Sequence, residues 1–168
     1  MNDTQEAPDG PDAPRRVTFD LDGLLVNTEE LYQDVGTELL RRRGKPFEPD
    51  LLDRMMGRPQ QVSLRIMIDW HSLDDTVEGL AAETKEIFLS LLDTRLAPMP
   101  GAVALLDALD RHGIPYGVAT SSGPDFATDV LGRVGLLPRM RFVLTCDDVR
   151  EGKPHPEIYL AEIGRAHV

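Results

Sequence analysis

Apolar positions recur along this chain with two periods. Val17, Phe19 and Leu21 alternate with Thr18, Asp20 and Asp22, which is the period of a strand, until Gly23 breaks the pattern. The spacing then changes to three and four. Leu31, Val35 and Leu39, with Tyr32 and Leu40 beside them, form the stripe of a helix that Asn27 or Thr28 can cap, with Glu29 and Glu30 at its positive end. Arg41, Arg42 and Arg43 suit its other end, as a solvated helix terminus or as a phosphate patch, before Gly44 and Pro46 stop it. Three more helical patterns follow without an intervening strand. Leu51, Leu52, Met55 and Met56 mark a short one closed by Gly57. Val62, Ile66 and Trp70 recur on the next, and Val77, Leu80, Ala81, Thr84, Ile87, Phe88 and Leu91 on the longest. The methionines read as packing.

After Pro98 and Pro100 the pattern alternates between helix and strand. A helix over 101–111 points Val103, Leu105, Leu106 and Leu109 inward and stops at His112-Gly113, where His112 favours the helix end. A short strand over 116–120 ends in hydroxyls, a helix starts at Pro124 and carries Phe126, Val130, Leu131 and Val134, a strand covers 142–146, and Pro156 opens another helix. Strand and helix in alternation predict an α/β domain with a Rossmann-like parallel sheet, interrupted after its first strand by a helical insertion. The expected organisation is a disordered tail over 1–14, a discontinuous α/β core over 15–26 and 97–162, and a helical cap over 27–96.

Composition narrows the setting. The 168 residues suffice for one domain carrying an insertion, and no apolar run is long enough for a bilayer. With 18 Lys and Arg against 29 Asp and Glu, the formal charge of −11 argues against general nucleic-acid or membrane-surface binding. The single cysteine, Cys146, excludes an internal disulfide and reads as a core strand residue of a cytoplasmic protein. Oligomeric state has no signal.

The chemistry lies at strand ends. Asp20 and Asp22 either begin a turn, since Asp-Gly is a common turn pair, or serve one substrate, lying about 6 to 7 Å apart on the same side of a strand. Thr120 falls at the corresponding end of the next strand. The turn over 121–123 leads into a helix N-terminus, where main-chain N–H groups favour an anion. Lys153, on the loop after the third strand, is a compact positive charge that could reach the same place. His155 is a loop residue without a role.

The run Asp20-Leu21-Asp22-Gly23, with Ala119-Thr120-Ser121-Ser122 and Gly152-Lys153-Pro154-His155-Pro156-Glu157 following in order, resembles the first three motifs of the haloacid dehalogenase superfamily. The form is that of its small-molecule phosphatases and β-phosphoglucomutase-like sugar-phosphate mutases with a helical cap. The resemblance covers residue 16 to about residue 162. It implies Asp20 as a nucleophile forming an aspartyl phosphate and Asp22 as acid and base. Thr120, the main chain of Ser121, and Lys153 would bind the phosphate. Mg2+ would sit on the Asp20 carboxylate and the Asp22 carbonyl.

The implied activity is a Mg2+-dependent phosphatase of a small phosphorylated metabolite. A mutase is the rival, although mutases of this group carry a cap histidine where this chain has Tyr32. An inactive phosphate-binding fragment is the third reading. The second aspartate argues against a dehalogenase. Cap residues over 57–61 are expected to face the substrate without identifying it. The fourth motif, an acidic strand end, would fall beyond Val168. The segment 163–168, Ile-Gly-Arg-Ala-His-Val, matches the translation of a common sequencing adapter, so it is expected to be a non-native tail on a C-terminally shortened chain.

Overall fold

The computed structural model describes residues 16–164; the 1–14 tail and the last four positions of the 163–168 segment lie outside the described residues. Two compact units emerge, one built from the stretches on either side of the helical insertion and the other comprising residues 28–95.

The first unit holds three parallel strands, β1 (Val17–Phe19), β2 (Tyr116–Ala119) and β3 (Val143–Leu144), in the order β1-β2-β3. Val17 pairs with Tyr116 and Phe19 with Val118, and Val118 pairs in turn with Val143. Every residue of β2 is buried, as a central strand requires. Gly117 has no choice there: a Cβ on it would stand 2.5 Å from the main-chain oxygen of Phe142. Helices α5 (Ala102–Arg111), α6 (Pro124–Arg133) and α7 (Glu157–Gly164) alternate with the strands. Ile158 of α7 packs with Ala119 and Leu144 into the core.

Helix α5 turns Leu106 and Leu109 inward as expected, but not Val103 and Leu105. Ala102, Leu106 and Leu109 are buried at the four- and three-residue spacing of one stripe, and Val103 and Leu105 are left exposed. The third strand is also shorter than 142–146. Thr145 leaves the sheet because the Asp148 carboxylate accepts both its N–H and its hydroxyl proton, starting a 3-10 turn over Cys146–Asp148. Cys146 is consequently exposed on that turn rather than buried in a strand.

The second unit consists of α1 (Thr28–Arg42), α2 (Pro49–Met55), α3 (Gln60–His71) and α4 (Val77–Arg95). Helix α1 packs on α4, and α3 on both α2 and α4. The α1 stripe of Leu31, Val35, Leu39 and Leu40 is buried, as are Leu80, Thr84, Ile87 and Phe88 of α4. Helix α3 departs from its expected stripe. Leu64, Met67 and Ile68 face inward, while Val62 and Trp70 are exposed. Trp70 is used at the surface instead, its indole N–H donating to Glu48 at 2.7 Å and its ring carrying the Arg54 guanidinium.

The three arginines at the end of α1 form ion pairs rather than a phosphate patch, with Arg41 and Arg42 solvent-exposed as expected and only Arg43 largely covered. Arg41 and Arg42 pair with Glu38, Arg42 also reaches Glu83, and Arg43 joins Asp75 and Glu83. Among the described residues no helix is long and apolar enough to cross a membrane.

Candidate active site

Strand β1 delivers Asp20 as its first residue beyond the sheet. The chain then closes a tight loop in which the N–H groups of Leu25 and Val26 return to the Leu21 carbonyl and that of Gly23 to Val26, with Gly23 at φ +70°. A side chain is disfavoured in that conformation, so glycine allows the sharp exit. Leu21 is buried and anchors the loop, while Asp20 is exposed and Asp22 half-buried.

The parallel register brings the ends of β1 and β2 together, and two clusters form there. Lys153 Nζ donates to Asp20 Oδ1 at 2.7 Å and to the carbonyl of Ala119, the last residue of β2, at 2.8 Å. The same ammonium stands 5.6 Å from the centroid of the Tyr159 ring. The second cluster is made of hydroxyls. Asp22 Oδ2 accepts the Ser122 hydroxyl at 2.9 Å and the fully buried Thr120 hydroxyl at 3.3 Å, and Thr120 Oγ1 accepts the Ser122 N–H at 3.0 Å. The N–H of Cys146 holds the Ser122 carbonyl, tying the loop after β2 to the loop after β3.

Asp20, Asp22, Thr120 and Lys153 are thus gathered in one place. Ser121 lies in the same turn, exposed, and makes none of these contacts. The sequence reading missed Ser122, the Ala119 carbonyl and Tyr159. A second hydroxyl beside Ser121 was a visible signal for the first, and the aromatic one turn into α7 for the last. A main-chain acceptor leaves no trace in residue identity.

The loop bearing Lys153 is held from outside by Glu157. Its two carboxylate oxygens accept the N–H groups of Arg150 and Glu151, which keep this carboxyl below the usual range. His155 pairs with Glu151 at 2.9 Å, so that it has a place in the loop's scaffold. Ligating atoms of Glu151, His155 and Glu157 come within 4.8 Å of one another on this exposed surface.

Asp20 and the main chain of Asp22 offer oxygen donors, the type that suits a small hard divalent cation, and nearly half of the Asp20 side chain is open to solvent. Within the helical unit, Gly57, Arg58 and Gln60 share a cavity of about 520 Å3 with Met55, Met56 and Leu64.

A parallel α/β domain whose strand ends carry two aspartates, a hydroxyl turn and a lysine, with a helical unit inserted after β1, is the architecture of a phosphoryl-transfer hydrolase. The chain belongs to the haloacid dehalogenase-like hydrolases, whose family profile matches residues 17–168. It is 34% identical over 145 residues to the validoxylamine A 7'-phosphate phosphatase of Streptomyces hygroscopicus subsp. limoneus, covering 84% of this chain and 66% of that protein. It is 32% identical over 152 residues to a phosphorylated carbohydrates phosphatase of Thermotoga maritima, covering 90% and 70%. Its fold matches a Thermotoga maritima crystal structure assigned as a beta-phosphoglucomutase, with a TM-score of 0.80 and 31% identity over 91% of this chain and 71% of that one. The chain therefore spans about two thirds of the length of these relatives.

Proposed function

We propose that this chain carries the nucleophile and phosphate-binding groups of a phosphatase acting on small phosphorylated metabolites, sugar phosphates among them. The observation that carries the reading is the meeting of Asp20 with Lys153 at 2.7 Å beside Asp22 and its two hydroxyls. Asp20 attacks phosphorus, forming the acyl phosphate bond as the bond from phosphorus to the ester oxygen breaks. Asp22, protonated, gives its proton to that oxygen. Asp22 then takes a proton from water as the water oxygen attacks phosphorus and the Asp20 carboxylate leaves, so one displacement becomes two. Lys153 orients the nucleophile through its bond to Asp20 Oδ1. Its third N–H, the main chain of Ser121 and the hydroxyl of Thr120 are the donors for the phosphoryl oxygens. Mg2+ would be held by the Asp20 carboxylate and the Asp22 carbonyl, and when bound it offsets the repulsion between a carboxylate and a phosphate dianion.

Hydrolysis is favoured over a mutase by Tyr32. This residue stands where the resembled mutases carry a histidine, and its ring is stacked on Phe88 with centroids 4.4 Å apart. Arg58 and Gln60 on the cavity of the helical unit are the groups we assign to substrate selection. The lone cysteine supports a reducing, cytoplasmic setting.

The test is turnover of 4-nitrophenyl phosphate and a panel of sugar phosphates with MgCl2 or EDTA. Activity should require the metal and disappear in Asp20→Asn with the fold retained. Metal-independent turnover, or an Asp20→Asn protein within about tenfold of the parent, would refute the reading, given that a covalent nucleophile contributes far more.

A further inference from the structure

We infer that Ser122 is a positioning residue for Asp22, and that its hydroxyl sets the orientation from which Asp22 exchanges protons with the leaving group. This rests on the assignment of Asp22 as acid and base. Ser122 is held at three points. Its N–H donates to Thr120 Oγ1 at 3.0 Å, its carbonyl accepts from Cys146, and its hydroxyl donates to Asp22 Oδ2 at 2.9 Å. The shorter of the two hydroxyl bonds to that oxygen is therefore made by a side chain whose main chain is fixed on both sides. Its N–H also occupies Thr120 Oγ1, which leaves the Thr120 proton directed at the same carboxylate.

Two donors on one oxygen fix the plane of the carboxylate. They also define where a phosphoryl oxygen must compete, because the Thr120 hydroxyl cannot donate to phosphate and to Asp22 at once. Ser122 keeps Asp22 anchored while Thr120 changes partner. Its role is thus distinct from phosphate binding.

Leaving-group dependence separates the two roles. An alkyl phosphate needs its departing oxygen protonated, whereas 4-nitrophenolate leaves without help. In Ser122→Ala, kcat on glycerol 2-phosphate should fall about tenfold or more, and kcat on 4-nitrophenyl phosphate less than about threefold. KM and the inhibition constant of inorganic phosphate should stay within about twofold, since no phosphate ligand is lost. Ser122→Thr should restore most of the loss. Equal losses on both substrates, no loss on either, or a raised phosphate constant without leaving-group bias would each overturn the inference. Asp22→Asn is the control: if it lacks leaving-group bias, the parent assignment fails, and if it shows the bias while Ser122→Ala does not, only the role of Ser122 fails.

A readout independent of turnover is the side-chain carboxyl 13C resonance of Asp22, assigned by its loss in Asp22→Asn. It should move in Ser122→Ala and return in Ser122→Thr; an unmoved resonance overturns the inference for a folded protein of any activity.

Discussion

Lys153 and Asp20, 133 positions apart in the chain, meet at 2.7 Å, and the same ammonium donates to the carbonyl that ends β2. One side chain thus joins the loop after β3 to the ends of both other strands. Replacing it with Met keeps most of the stem but removes the charge beside Asp20, the proposed nucleophile, and a proposed donor to the phosphate. Lys153→Met should lower kcat about 10²-fold or more, the scale for loss of one preorganised electrostatic partner. Lys153→Arg should recover little of it, because a planar fork cannot place donors where a compact ammonium does. Steady-state kinetics of the two variants check this, and a Met variant with normal kcat would remove Lys153 from the site.

The close approach of β2 and β3 gives a stability prediction. Gly117→Ala would put a methyl group 2.5 Å from the Phe142 oxygen and 2.6 Å from a carbon of its ring. The main chain cannot give way without breaking the pairing of Val118 with Val143. The expected loss is about 3 kcal/mol, the upper end of ordinary overpacking. Urea unfolding should show the midpoint falling while the slope is retained; an unchanged midpoint would mean that the strands separate freely.

The alternation over residues 17–22 and the order of strands and helices were legible because period and punctuation depend on local sequence. The three motifs could be placed at strand ends for the same reason. What escaped were choices among equivalent faces. Helix α3 offers Val62, Leu64, Ile66, Met67, Ile68 and Trp70, and only packing against α2 and α4 decides that Leu64, Met67 and Ile68 go inward. Likewise, the stretch 142–146 has strand propensity throughout, but the Asp148 side chain takes Thr145 out of the ladder. Ser122 escaped because its importance lies in a bond to a residue 100 positions away.

That early end of β3 makes Cys146 testable. Its thiol is exposed and donates to Asp147 at 3.3 Å; the hydrogen bond to that carboxylate, with some desolvation, pushes the thiol above its ordinary value of 9.0. Thiolate is the reactive form, so the cysteine should be accessible to a disulfide reagent yet slow at neutral pH. Asp147→Asn should speed the reaction by roughly threefold or more by releasing the thiolate from an adjacent negative charge. An unreactive thiol in the native protein would contradict its exposure.

The last prediction concerns acid stability of the helical unit. Arg43 donates to both oxygens of Asp75, at 2.7 and 2.8 Å, to Glu83 at 2.7 Å and to the Leu39 carbonyl at 2.8 Å, with all three charged side chains largely screened from solvent. Hydrogen bonds from Arg43 are the main reason that the Asp75 and Glu83 carboxyls lie below their ordinary values of 3.8 and 4.5. A carboxyl depressed in the folded state binds fewer protons there than in the unfolded chain. Its stabilising contribution is therefore complete above those ordinary values and is lost as pH falls through the lower, folded ones. Arg43→Met should cost about 2 kcal/mol at neutral pH, the scale for hydrogen bonds to charged groups, or a fall of about 6 °C in Tm for a chain of this size. Below pH 4 the gap between parent and variant should narrow, because protonated Asp75 and Glu83 no longer reward the arginine and no longer repel each other without it. Melting curves of both proteins at pH 7 and pH 3 decide it: a gap that stays constant would mean that Arg43 stabilises through the packing of its stem and not through its charge.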